Sequence, residues 1–213
     1  MAIITLTNMK DLIYKIFIAI VLLLTSLSSS AVTADDVLTS ASNVFTNSKS
    51  ITASFVMIDN GYSNAGKIVV AGNKFVITTP KLSTWFDGKT QWTYSSSINE
   101  VNIGEPTADE LQIINPFTII KDFQINYKGE LLKSVKGSYK IKLTPKKSNN
   151  DIKSVELILN SSSYLPSLIV IVAKNNIKTT INIKNINTGG TLPNSTFVFN
   201  SANYPGVEVI DLR

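Results

Sequence analysis

The side chains best suited to do chemistry in this sequence are carboxylates. Asp87 lies in an Asp-Gly turn, Glu100 and Glu105 flank a strand-like run, Asp109 and Glu110 open a helical pattern, and Glu208 and Asp211 sit near the C-terminus. Two carboxylates held at a fixed separation support general acid–base chemistry of the glycosidase kind. The 213 residues include no histidine and no cysteine, which removes imidazole triads, thiolate nucleophiles and most zinc sites. The acids show no converging set, and each has a plainer local role. Asp87 suits turn geometry, Glu100 and Glu105 a wet strand face, Asp109 and Glu110 a helix N-terminus, and Glu208 and Asp211 a polar tail. The sequence reads as a binding protein, not an enzyme, with no cofactor and no metal.

The other residues that invite a function are aromatic. STWFDGKTQWTY holds the chain's two tryptophans, Trp85 and Trp92, on either side of Asp87-Gly88. Asp-Gly between alternating residues predicts a hairpin. An even-length loop puts Trp85, Trp92 and Tyr94 on one face and Phe86, Gln91 and Thr93 on the other, whereas a three-residue loop puts Phe86 with Trp92. Such a row can cap a core, stack on a base or sugar, or line a cavity for an apolar ligand.

The remaining patterns say what must position these residues. Lys10 and Lys15 flank the start of IFIAIVLLL (residues 16–24), and TSLSSSAVTA follows. That order predicts a secretory signal over residues 1–34, cleaved after Ala34 or Ala31, and a single mature domain over 35–213. An exported chain without cysteine must be held by its core alone. Removing the leader leaves a net charge of +4, dispersed among acidic and polar residues, so no nucleic-acid footprint is indicated.

One helix is predicted at the start of the mature chain, where Val37, Leu38, Ala41, Val44 and Phe45 recur at helical spacing. The period then changes to two. A Gly72-Asn73 turn pairs Val70 with Phe75 and Ile68 with Ile77, leaving Lys67 and Lys74 on the wet face. In EPTADELQIINPFTIIKDF, Thr107 and Glu110 form a capping-box pattern, and Pro116 breaks the helix that follows. Leu111, Ile114, Phe117 and Ile120 mark its apolar side, as ordinary core or as a lid. Beyond it, alternation around Ile141, Leu157 and Ile181 predicts an antiparallel meander, and LPSLIVIVA (residues 165–173) is apolar on both faces. The fold class is mainly β: one strongly curved antiparallel sheet with short helices on one side. From periodicity alone, its apolar faces belong to a solid core.

The ordered set GKIVVAGNKFVI, FDGKTQWTY, INPF, KIKLTPK, STFVFN and YPGVEVIDL resembles the LolA-type outer-membrane lipoprotein carriers. The resemblance covers nearly all of the mature chain, and its motifs are specific as a set, not singly. It implies an incomplete, unclosed antiparallel β-barrel around an apolar cavity, with short helices as a lid. It implies a periplasmic monomer that takes acylated lipoproteins from an inner-membrane ABC transporter to an outer-membrane acceptor. The implied cavity lining is Ile68, Val70, Phe75, Ile77, Trp85, Trp92 and Tyr94, and the implied lid is Leu111, Ile114, Phe117 and Ile120. The better-known members carry Arg-Pro shortly before the strand phenylalanine, where the arginine helps hold the lid closed. This chain has Ala71-Gly72 there, and with its ending YPGVEVIDLR it resembles a separate branch. The alternative is a periplasmic carrier of another amphiphile, such as a glycolipid.

Overall fold

The period-two segments form strands, and the strands join one sheet. The computed structural model describes residues 31–135, 137–148 and 151–213. The expected leader lies outside these except for residues 31–34, and Thr33–Arg213 forms one compact unit. The first helix, α1 (Ala34–Asn47), starts on a capping box: Thr33 accepts from the Asp36 amide, and Asp36 accepts from the Thr33 amide. A cut after Ala34 removes this cap, whereas a cut after Ala31 keeps it. Val37, Leu38, Ala41 and Phe45 are buried, as their spacing predicts.

After α1 come β1 (Ser50–Asp59), β2 (Tyr62–Ala71), β3 (Lys74–Thr78), β4 (Leu82–Phe86), β5 (Gln91–Ser95) and β6 (Glu100–Gly104). Three short helices interrupt the strands: α2 (Ala108–Ile114), α3 (Phe117–Lys121) and α4 (Phe123–Asn126). The meander resumes with β7 (Tyr127–Val135), β8 (Ser138–Pro145), β9 (Ile152–Asn160), β10 (Pro166–Ala173) and β11 (Lys178–Gly189), and β12 (Glu208–Asp211) ends it. The twelve strands run in the order β12-β6-β5-β4-β3-β2-β1-β11-β10-β9-β8-β7, so β12 and β7 are free edges and the barrel is not closed.

Among the described residues, every strand pairing is antiparallel except one. β12 runs parallel to β6, with Val209 opposite Val101. This departs from the all-antiparallel expectation for a topological reason. After β11 the chain passes through two 3-10 turns, Asn194–Phe197 and Ser201–Asn203, and re-enters the sheet in the direction of β6.

One face of the sheet carries the core. A row runs Leu131, Ile141, Leu157, Ile169, Ile181 and Met57 across neighbouring strands, each residue opposite the next. Two glycines permit close approach on this face. Gly129 of β7 lets Leu38 of α1 in, because an added Cβ would meet Leu38 Cδ1 at 2.7 Å. Gly66 stands opposite Phe55, and a Cβ there would sit 2.4 Å from the ring.

Candidate functional site

The two hairpins that the sequence predicts have the predicted registers. Ile68 pairs with Ile77 and Val70 with Phe75 around Gly72-Asn73. Trp85 pairs with Trp92 and Phe86 with Gln91 around Asp87-Gly88, where Asp87 Oδ1 accepts from the amides of Lys89 at 2.9 Å and Thr90 at 2.8 Å. The connection between the hairpins decides which faces coincide. Ile77 stands opposite Thr84 and Val76 opposite Trp85. The face that carries Phe75 and Ile77 therefore continues through Phe86 and Thr84, not through the tryptophans.

A cavity of about 440 Å³ lies against that face. Its size falls in the range of small-molecule pockets, about 300–1,000 Å³. Ile68, Ile77, Leu82 and Thr84 bound it from one side, and Phe55 and Met57 of β1 from the centre. Ile171, Thr179, Ile181 and Ile183 of β10 and β11 form the opposite wall. Ile113, Ile114, Pro116 and Phe117, at the break between α2 and α3, cover it. The lining is predominantly apolar, with polar groups confined to a few threonines and aspartates.

The structure separates the expected lining residues into three groups. Ile68 and Ile77 face the cavity. Val70 and Phe75 lie on the same face but in packed core, where the Phe75 ring sits 5.2 Å from that of Phe86. Trp85, Trp92 and Tyr94 are on the opposite face, and their expected place in the lining is corrected. There Trp85 meets Phe199 edge-on at 5.5 Å and Tyr204 at 5.9 Å, and the Tyr94 and Tyr204 rings lie 4.4 Å apart. Tyr94 Oη donates to Asn99 Oδ1, and Asn99 Nδ2 donates to the Gly206 carbonyl at 2.9 Å. Val101 and Phe197 are buried yet stand apart from the main core. The C-terminal segment thus builds a second, smaller core on the outer face. Burial raises the Tyr204 pKa, with the nearby Tyr94 adding to the effect.

The expected lid also divides. Phe117 and Ile120 are buried, and α3 is held down by Phe45 of α1, whose ring is 5.1 Å from Phe117. Ser42 Oγ donates to the Lys121 carbonyl at 2.9 Å, a second tie between α1 and α3. Leu111 and Ile114 of α2 are only half-buried, and Ile113 is 58% exposed. The inner anchor of α2 is Tyr127 Oη, which donates to Gln112 Oε1 at 2.6 Å. The Thr107–Glu110 capping box forms as predicted, and hydrogen bonds from the Thr107 amide and hydroxyl hold the Glu110 carboxyl below its ordinary pKa. Phe117 is thus a buried part of the wall, and α2 covers the cavity with exposed and half-buried residues anchored through Gln112.

Sequence reasoning missed the contribution of β1. Phe55 and Met57 face the cavity, but Val56 and Ile58 on the other face mask the alternation. Ile177, Thr179, Ile181 and Ile183 stand out in the sequence as an alternating row, without any sign that a cavity lies in front of them. Of the candidate carboxylates, Glu208 stands opposite Glu100 across the β12–β6 pairing, and two others are held in ion pairs. Glu105 pairs with Lys89 at 3.2 Å, and Asp211 with Arg213 at 2.5 Å. Among the described residues, no three acidic side chains come together to hold a metal ion, and no helix is long and apolar enough to cross a membrane.

A family model described as outer membrane lipoprotein carrier protein LolA matches residues 24–175. An uncharacterized conserved protein from Thermus thermophilus is similar in structure, with a TM-score of 0.57 and 11% identity. That alignment covers 84% of this chain and 98% of the other. A LolA superfamily protein from Nitrosomonas europaea aligns at a TM-score of 0.41 and 13% identity, over 79% of this chain and 99% of its own. MucB aligns at 0.46 and 16% identity, over 79% of this chain and 63% of MucB. No curated protein matches the chain by sequence.

Proposed function

Since the chain belongs to the family of outer-membrane lipoprotein carriers described as LolA, we propose that it is a periplasmic carrier that holds the acyl chains of lipoproteins and shuttles them from the inner to the outer membrane. The observation that supports this reading is the apolar cavity of about 440 Å³ between one sheet face and the exposed helix α2. An inner-membrane ABC transporter would load it and an outer-membrane acceptor would empty it.

The energetics explain the form of the site. Each buried methylene is worth about 0.8 kcal/mol, so one long acyl chain exposed to water costs on the order of 10 kcal/mol. Free diffusion of a lipoprotein is excluded at that cost. Moving the chain from bilayer to cavity exchanges one apolar medium for another, so the carrier needs only an affinity near that of the membrane. Ile, Met and Phe side chains from many strands, with no dense polar network, suit such loose binding.

The test is extraction. The purified chain is mixed with inner-membrane vesicles bearing an energised transporter, and the supernatant is assayed for acylated lipoprotein. Acylated lipoprotein should appear in a complex with the chain, and the same lipoprotein stripped of its acyl chains should not. Equal recovery of both forms, or of neither, sinks the reading. Recovery of a glycolipid instead selects the alternative amphiphile.

A further inference from the structure

Among the described residues, the charged groups on the cavity wall are Asp59 and Asp151, and no lysine or arginine lines it. This is the reverse of the chain as a whole, whose formal net charge is +5. The two aspartates also share one end of the site. Asp59 closes β1 and stands opposite Thr179, near the start of β11. Asp151 immediately precedes β9, whose first residue, Ile152, stands opposite Ala173 at the end of β10. Thr79, just after β3, and Leu82, at the start of β4, also line the cavity. Phe117, Ile68 and Ile183 lie away from it and are apolar. The cavity is thus amphipathic, with an apolar depth and an acidic rim.

The rim is built. Asp59 is placed by the tight turn through Asn60 and Gly61, both at positive φ (46° and 81°), which pairs it with Tyr62. The Asp151 carbonyl accepts from the Lys174 amide at 2.9 Å. Asp59 Oδ1 is buried and has no hydrogen-bond partner among the described residues. A buried carboxylate oxygen without a donor is unfavourable until something supplies one. The neighbouring lysines are engaged elsewhere: Lys153 Nζ donates to Asn176 Oδ1 at 2.8 Å, and Lys174 Nζ to the Ser148 carbonyl at 2.6 Å. Lys81 and Lys178 flank rim residues in sequence and are not on the wall.

Resting on the carrier reading above, we propose that the cavity selects amphiphiles whose group next to the acyl chains is a cationic amine, bound by Asp59 and Asp151. Such an amine donates up to three hydrogen bonds, and the rim offers acceptors and negative charge where the chains emerge. An anionic head group meets two carboxylates of its own sign there.

The experiment uses the mature chain with a bound hydrophobic dye and three displacing probes of equal chain length: hexadecylamine, hexadecanol and palmitate. Hexadecylamine should displace the dye at about tenfold lower concentration than palmitate, or about 1.4 kcal/mol. The gap should narrow with added salt. Asp59→Asn with Asp151→Asn should bring the amine level with hexadecanol, with circular dichroism reporting an intact fold. The single variants serve if the double one fails to fold. Palmitate ranking with the amine in the wild-type chain overturns the head-group assignment while the carrier reading stands. Failure of the dye and of all three probes to bind overturns both. The source of the amine is separated by a second pair of arms. Preference for a diacylglyceryl-cysteine peptide over its N-acetylated form marks the lipoprotein's own α-amine. Preference for phosphatidylethanolamine over phosphatidylglycerol marks a membrane lipid, and the absence of both preferences overturns the proposal.

Discussion

Lys121, at the end of helix α3, donates from Nζ to Asn73 Oδ1 in the turn between β2 and β3. The bond ties α3 to the β2–β3 hairpin, whose registers, Val70 with Phe75 and Ile68 with Ile77, flank the turn. Both partners are exposed or half-exposed, which limits the bond to about 1 kcal/mol. Asn73→Ala or Lys121→Met should raise hydrogen exchange over residues 117–122 by about fivefold and speed ligand release by a similar factor. Unchanged exchange in both variants removes the bond from any role in closing the cavity.

Phe75 and Ile77 are two residues apart on one strand face, yet they should respond differently to charge. Phe75 is 1% exposed and packs on Phe86, so Phe75→Glu places an unpaired carboxylate in dry core and should unfold the domain. Even Phe75→Ala should cost about 3–5 kcal/mol. Ile77 is half-buried at the cavity wall, so Ile77→Glu should fold and lose dye binding. Denaturant titration and dye binding on the three variants decide this. A folded Phe75→Glu, or an Ile77→Glu that binds normally, contradicts the placement.

Trp85 belongs to the outer aromatic cluster with Phe199 and Tyr204. Trp85→Ala should destabilise the domain by about 2 kcal/mol, through lost area and ring contacts, without changing affinity for an apolar dye. A loss of affinity with stability intact would return the tryptophan to the ligand site.

The cover helix α2 should loosen in acid. The Glu110 pKa is lowered from 4.5 by hydrogen bonds from Thr107, first from its amide and then from its hydroxyl. A carboxyl whose folded pKa lies below its unfolded one stabilises the fold above the unfolded value. That contribution is lost as pH falls through the folded pKa. The cap should therefore be whole above about pH 5 and fail progressively below pH 4.5. Thr107→Ala should raise the Glu110 midpoint toward 4.5, read by carbon-detected NMR titration, and should increase exchange over residues 108–114. A midpoint that does not move on this substitution rejects the Thr107 hydroxyl as a cause of the shift.

Much of the fold is decided locally, and for that reason it is legible in the sequence. Turn chemistry at Gly72-Asn73 and Asp87-Gly88 sets two hairpin registers, and a one-residue slip is resisted because it moves every apolar side chain to the other face. Thr107 and Glu110 announce a helix start, and Val37, Leu38, Ala41 and Phe45 announce the apolar stripe of α1. The absence of histidine and cysteine narrows the chemistry through composition alone. Which hairpin face meets which is another matter. The link of residues 79–81 puts Thr84, not Trp85, beside Ile77, and nothing in either hairpin's own pattern specifies that step. The same holds for the outer core, where Phe199 and Tyr204 come back over Trp85 from more than a hundred residues away. Periodicity reports which side of a strand is apolar. Whether that side meets packed side chains, a returning C-terminal segment or an open cavity depends on elements distant in sequence, and only the tertiary structure brings those together.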